Sequence, residues 1–266
     1  MPIEIHILGK SIPMYGLLCV LGVLAAMGVA FFLAHKKKMD LFDFCLNIVY
    51  CLAGAFIGAK LLFIIVSWDL VKTIFQNYSF INAVKILLRG GYVFYGGFIG
   101  GLGALLLSLH LQKQNIFKHL SIFATVLPLG HAIGRIGCFA AGCCYGMEYD
   151  GPLSYTYTHA GDLSTPIGVP LFPVQLVEAL LLFGLFVALL IIFLKSKKDT
   201  TTTFVYCYAY AVIRFVLEFF RGDKIRGVFI FSTSQWISIA IAVVATVLLI
   251  LFKKRNKSKT TNQEQN

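Results

Sequence analysis

Six side chains that carry or can acquire charge lie inside long apolar runs: Lys60, His131, Arg135, Glu178, Arg214 and Glu218. Charge at membrane depth is costly, so each of these marks either a paired structural group or a site. Arg214, Glu218 and Arg221 are four and three residues apart, which puts them on one helix face. An intrahelical ion pair would make Arg214 tolerable in lipid. A guanidinium also offers a forked set of donors matched to phosphate or carboxylate oxygens. Arg135 stands in a different run, between Gly134 and Gly137. Two arginines on two helices need an anion or two acids between them. Glu218 supplies one negative charge and Glu178 can supply another. An exogenous anion is the reading carried forward.

Glycine and cysteine give two more signals. The stretch from Gly90 to Gly101 contains Tyr95-Gly96-Gly97-Phe98-Ile99-Gly100-Gly101. Small residues four apart let helices approach closely, and backbone N–H groups at a helix end can bind an anion. A second stretch, Gly130 to Gly146, surrounds Arg135 with glycines, so a lipid could come close to the backbone. Cys138, Cys143 and Cys144 cluster at its end. A disulfide of Cys138 with Cys143 or Cys144 is one reading in an oxidising compartment. A metal site would need a further ligand, for which His131 and His159 are the candidates, and none is assigned. Cys19, Cys45, Cys51 and Cys207 read as small apolar fillers. Tyr15, beside Gly16, would ordinarily be an interfacial belt residue.

The elements that must position these groups follow from composition. Of the 266 residues, 58% are hydrophobic and 13% charged, about half the charged share of a soluble domain. That excludes a water-soluble fold and an intrinsically disordered chain. Long continuous apolar runs, rather than short alternating ones, exclude a β-barrel. The runs are 13–34, 42–67, 92–111, 119–141, 174–194, 203–220 and 229–252. The first has no signal-peptide cleavage pattern and counts as a span. The fold class is therefore an all-α polytopic membrane protein of about seven transmembrane helices. Residues 1–252 read as a single transmembrane helical domain. Connections 68–91 and 142–172 are longer than turns. The former carries apolar residues at near-helical spacing, as helices lying in the interface would. The latter is rich in Gly, Pro, Tyr, Thr and Ser and reads as an ordered loop or small head. Thirteen basic residues follow the first, third, fifth and seventh runs, against seven on the other side. That bias places the N-terminus outside and the C-terminus in the cytoplasm. Residues 253–266 form a basic cytoplasmic tail whose polar end reads as unstructured. The net charge of +11 fits attraction to an anionic leaflet better than nucleic acid binding, because the basic residues are scattered between spans.

Taken in order, these pieces resemble the bacterial prolipoprotein diacylglyceryl transferases along nearly the whole chain. The matching features are Tyr15-Gly16, Lys60, Tyr95-Gly96-Gly97-Phe98-Ile99-Gly100 and the Gly134-Arg135-Ile136-Gly137 signature ending at Gly146. They continue with Pro173, Gln175, Glu178, the stripe from Arg214 through Glu218 to Arg221, and Ser234-Gln235. The resemblance implies transfer of diacylglycerol from phosphatidylglycerol to the lipobox cysteine thiol of preprolipoproteins. It implies a multi-pass protein of the bacterial plasma membrane, working at its outer side without metal or organic cofactor. Its partners would be phosphatidylglycerol, preprolipoprotein signal peptides and membrane lipid, with no nucleic acid.

Carried over to this chain, the catalytic candidates are Arg135, Arg214, Glu218 and Tyr95. Tyr15, Lys60, Gly96, Gly97, Gly134, Gly146, Arg221 and Gln235 are substrate-binding candidates. Three positions depart from the family pattern: Tyr95 replaces a usual His, Cys138 an Asn and Cys143 a Glu. The implied chemistry is displacement at a glycerol carbon by a thiolate, with glycerol 1-phosphate leaving. Arg135 and Arg214 would hold the phosphate, and Glu218 would orient Arg214. Tyrosine has a pKa near 10 and is a poor base, so the substrate thiol would lose its proton to Glu218 or to solvent. Two other classes stay open: a membrane thiol-disulfide protein using Cys138, Cys143 and Cys144, and a non-catalytic phospholipid-binding or transport relative.

Overall fold

In lipid, every backbone N–H and C=O must be satisfied within its own segment, so apolar runs of this length become helices. The computed structural model describes residues 4–7, 10–162, 164–196, 198–222 and 227–264. Lys197, Lys224 and Arg226, which entered the charge comparison, lie outside the described residues. The chain divides into two compact units, Met1–Ala30 with Phe117–Asn266, and Phe31–Ile116.

A hairpin of β1 (Glu4–Ile7) and β2 (Lys10–Pro13), paired antiparallel, leads into α1 (Met14–Lys36). The unit Phe31–Ile116 then holds α2 (Leu41–Val66), α3 (Trp68–Asn77), α4 (Phe80–Arg89) and α5 (Phe94–Leu111). The connection 68–91 is helical, as its periodicity predicts, in two pieces of 10 residues each. Glycines set the distance between α2 and α5. A Cβ on Gly58 would meet the Gly96 carbonyl and the Gly100 backbone, and one on Gly96 would meet the Gly58 carbonyl. At one end of this pair, fully buried Asn47 donates to Gln114 (2.9 Å) and accepts from Ser108 (2.7 Å). Gln114 also donates to Asp43 (3.0 Å). Such a satisfied polar set fixes the register of two otherwise greasy helices.

The other unit continues with α6 (Ile116–Ala141), β3 (Tyr155–Thr156), β4 (Pro170–Leu171), α7 (Val174–Lys195) and α8 (Asp199–Leu217). A 3-10 turn over Glu218–Phe220 follows, then β5 (Gly227–Val228), β6 (Phe231–Ser232) and α9 (Thr233–Glu264). The last run enters its helix four residues later than its apolar start, because 227–232 is taken up by the β5–β6 hairpin. The helix also runs on to Glu264, where composition predicts an unstructured end. Lys, Arg, Gln and Glu are good helix formers and extend a helix already nucleated. Helices α1, α2, α6, α7, α8 with its 3-10 turn, and α9 as far as Phe252 are long and apolar enough to cross a membrane. The third run supplies a shorter apolar helix, Tyr95–Leu111.

In this unit α1 lies on α6 through Gly22 and Gly130. A Cβ on Gly22 would stand 2.8 Å from the Gly130 carbonyl oxygen. One heptad on, Gly137 faces Leu18 and Tyr15. The connection 142–172 is an ordered head built on β3–β4, with Phe139, Tyr145, Tyr157 and Leu171 as its core. Its first strand-like segment is wedged between two others. Met147 N–H donates to Phe220 O (2.9 Å), Phe172 N–H to Met147 O (2.9 Å) and Gly222 N–H to Tyr145 O (3.1 Å). A Cβ on Gly146 would collide with the Phe172 carbonyl and crowd the Phe220 carbonyl oxygen at 3.1 Å, and backbone on both sides cannot swing away as a side chain can. Gly146→Ala is expected to lower stability by about 1–3 kcal/mol through overpacking, read as a lower thermal midpoint in detergent. An unchanged midpoint would mean that the three segments spread freely.

Candidate active site

Glu178 sits in the second turn of α7, buried to 1% exposure. It gathers side chains from two other helices. Arg135 of α6 brings Nη2 to 3.0 Å of Glu178 Oε1. Arg214 of α8 brings Nη1 to 3.9 Å of Oε2. Arg214 Nη2 donates to Glu218 Oε2 (2.7 Å) and to Ser234 Oγ at the start of α9 (3.0 Å). His131, one turn before Arg135, places Nε2 3.8 Å from Glu178 Oε1 and its ring against Tyr210.

One acid, Glu178, contacts both arginines, and a second, Glu218, pairs with Arg214. The four charges balance, so neutrality requires no further anion. Hydrogen bonding is less complete. Arg135 Nε and Arg214 Nη1 are buried and make no hydrogen bond among the described residues, and the same holds for both carboxylate oxygens of Glu178. A buried donor left unmade costs roughly 1–3 kcal/mol, more on a charged group. One such donor on each guanidinium is what an anionic oxygen entering beside Glu178 would satisfy.

The family model for prolipoprotein diacylglyceryl transferases matches residues 2–251. The chain belongs to the prolipoprotein diacylglyceryl transferase family. Among its relatives is phosphatidylglycerol–prolipoprotein diacylglyceryl transferase 2 of Clostridium perfringens, 34% identical over 259 residues and 96% of each chain. The phosphatidylglycerol–prolipoprotein diacylglyceryl transferase of Clostridium tetani is 32% identical over 91% of this chain and 94% of the relative. That of Finegoldia magna is 30% identical over 95% and 96%.

The structure gives the remaining candidates of this family member distinct surroundings. Gly134 has open space where a Cβ would be. Tyr15 is half exposed and packs on Gly137, within reach of Cys19, Cys138 and Cys143. Arg221 pairs with Gly146 across an isolated bridge and acts on both Arg135 and Cys144. Gly146 itself meets backbone on both sides.

Gln235 caps a helix. Ser232 N–H donates to Gln235 Oε1 (2.9 Å), Gln235 N–H donates to Ser232 Oγ (3.2 Å), and Gln235 Nε2 reaches Phe215 O (3.4 Å). That is a reciprocal capping box at the start of α9, and Ser-x-x-Gln is its sequence signature. It holds Ser234, and so the Arg214 contact, in place. Ser232→Ala is expected to cost about 1 kcal/mol, measured by thermal or chemical unfolding in detergent. No loss would show that water replaces the cap.

In the Phe31–Ile116 unit, the Lys60 ammonium donates to the carbonyls of Leu87, Gly90 (2.7 Å) and Gly91 (3.0 Å) and lies over the Tyr92 ring. A cation at a helix C-terminus is favourable, and all three donors have partners there. Gly97 meets Ala55 and Ala59 of α2, so with Gly96 it belongs to the α2–α5 contact. Tyr95 is on α5, at the edge of exposure.

The cysteine cluster is drawn together by the end of α6. Gly142 takes φ +71°, with Gly142 N–H on Phe139 O (3.2 Å) and Cys143 N–H on Cys138 O (3.1 Å). This is a Schellman motif, and it folds Cys143 back on Cys138. Cys144 follows at φ +58°. The three sulfurs lie within 4.8 Å of one another, and no histidine among the described residues joins them. All seven cysteines are free thiols, including the set read from sequence as a candidate disulfide. Hydrogen bonds from the Cys138 and Cys143 thiols hold the Cys144 thiol well below its ordinary pKa, and Arg221 adds to this. Cys143 is pushed up by its hydrogen bonding to the same two sulfurs. Behind the cluster, Gln175 Nε2 donates to Cys143 O (2.8 Å).

Residue types and spacing pointed to Arg135, Arg214 and Glu218. They did not single out Glu178 as the hub between both arginines, nor Ser234 and His131 at its edge. The usable signal was a lone acid one turn into an otherwise apolar helix.

Proposed function

We propose that this chain transfers diacylglycerol from phosphatidylglycerol to the cysteine thiol of a prolipoprotein, in lipoprotein maturation. The observation that carries the reading is the pair of guanidiniums from α6 and α8, each with an unbonded buried donor, gathered on one buried carboxylate in a member of this family. In the reaction, a C–S bond forms at the terminal glycerol carbon and the C–O bond to phosphate breaks. Glycerol 1-phosphate leaves with the electron pair, and the thiol proton goes to Glu218 or to solvent. Arg135 and Arg214 hold the phosphate while charge grows on it. Glu178 and Glu218 keep both guanidiniums aimed, and Gly134 lets the lipid approach. Tyr15 hydrogen-bonds a headgroup oxygen. Holding lipid and thiol together in a water-poor site can contribute about 7–11 kcal/mol through positioning.

The same proposal puts the protein in the bacterial plasma membrane, N-terminus outside, with the acceptor cysteine presented on a signal peptide at the outer side. The test is purified protein with phosphatidylglycerol and a lipobox peptide. A diacylglyceryl mass increment on the peptide cysteine, with release of glycerol phosphate, is expected. Binding of phosphatidylglycerol without glycerol phosphate release would instead identify a lipid-binding relative.

A further inference from the structure

We infer that Cys138, Cys143 and Cys144 form a binding site for one thiophilic divalent cation of the Zn2+ class. Their three sulfurs lie within 4.8 Å of one another. Tetrahedral thiolate coordination, with Zn–S near 2.3 Å, brings sulfurs to about 3.8 Å apart, so each needs to move by less than about 1 Å. All three residues are half-buried. That leaves an entry path and a fourth position for water. Thiolates select Zn2+ or other soft ions over Mg2+ or Ca2+.

The bland account covers only part of the cluster. A Schellman motif commonly brings the side chains of its first and sixth residues together, and these are Cys138 and Cys143. It does not place Cys144, which enters through a left-handed backbone conformation that a non-glycine residue rarely adopts. Charge decides the remaining question. Arg221 acts on Cys144 and Arg135 on Cys138, and they would repel a bare cation. Binding, however, releases to solvent the protons that the thiols still hold. Three thiolates with one divalent ion carry one net negative charge, which the guanidiniums offset. The inference does not rest on the transfer reaction, and its test reads metal rather than activity.

The full chain, purified in detergent with a phosphine reductant, is titrated with Co2+ and then Zn2+. A thiolate-to-cobalt charge-transfer band saturating at one ion per chain, and bleached by Zn2+, is expected. The C138S/C143S/C144S variant should lack the band although Cys19, Cys45, Cys51 and Cys207 remain. C144S alone should bind at least about 100-fold more weakly, more than the loss of an outer-shell partner. Because the triple variant can fail to fold, a second measurement uses the unaltered protein: Zn2+ should protect these three thiols, and not Cys45, from alkylation mapped by peptide mass. The inference is overturned if no band forms, if the triple variant keeps it, if Zn2+ gives no selective protection, or if the three residues lose mass to a disulfide under these conditions.

Discussion

Arg135→Ala and Arg214→Ala are each expected to lower diacylglyceryl transfer by roughly 100- to 1,000-fold, the usual effect of removing one preorganised donor from a developing anion. Both variants are expected still to insert in the membrane. Both arginines meet at Glu178, yet the two variants should differ in stability. Arg135→Ala leaves Glu178 with the longer contacts to Arg214 and His131. Arg214→Ala also removes the hydrogen bonds to Glu218 and Ser234 and should unfold at the lower temperature. Arg135→Lys keeps the charge but not the fork of donors, and should recover less than a tenth of the lost rate. The measurement is initial rate of peptide lipidation under saturating phosphatidylglycerol, beside a thermal melt. Lipidation at the unaltered rate in either alanine variant would remove the phosphate assignment.

Glu178→Gln is expected to destabilise the protein by about 3–5 kcal/mol, the range for breaking a buried ion pair from one side. Glutamine keeps the shape of the side chain but removes the carboxylate that both buried guanidiniums contact, while Arg214 keeps its pair with Glu218. The unbonded donors, Arg135 Nε and Arg214 Nη1, would then gain company rather than partners. A double-variant cycle separates charge from packing. If the pair is what matters, Glu178→Gln with Arg135→Gln loses clearly less than the sum of the single losses. Strict additivity in unfolding experiments would show that Glu178 contributes through packing alone.

How legible this was varies by residue. The ion pair of Arg214 with Glu218 is written in the i, i+4 spacing, because the helix repeat alone brings those side chains together. The two ten-residue helices of the 68–91 connection are written in its periodicity. Gly142 as the end of α6 could be read from the sequence, since a left-handed residue closing a helix is usually glycine. The capping box was equally available in Ser232-Thr233-Ser234-Gln235. Lys60 was opaque. The carbonyls it caps lie about 30 residues along the chain, and no local rule joins them.

Taken alone, the sequence determined that this is a helical membrane protein, where its helices run to within a few residues apart from the far end of α9, and which charged groups had to find partners. Those follow from hydrocarbon's intolerance of unpaired backbone and of charge, which acts locally. Only the tertiary structure decided that one carboxylate on α7 receives guanidiniums from both α6 and α8, that Gly146 is held between two backbones, and that three sulfurs converge. Each depends on which surfaces meet, and close packing across helices is set by the whole unit rather than by any stretch of it.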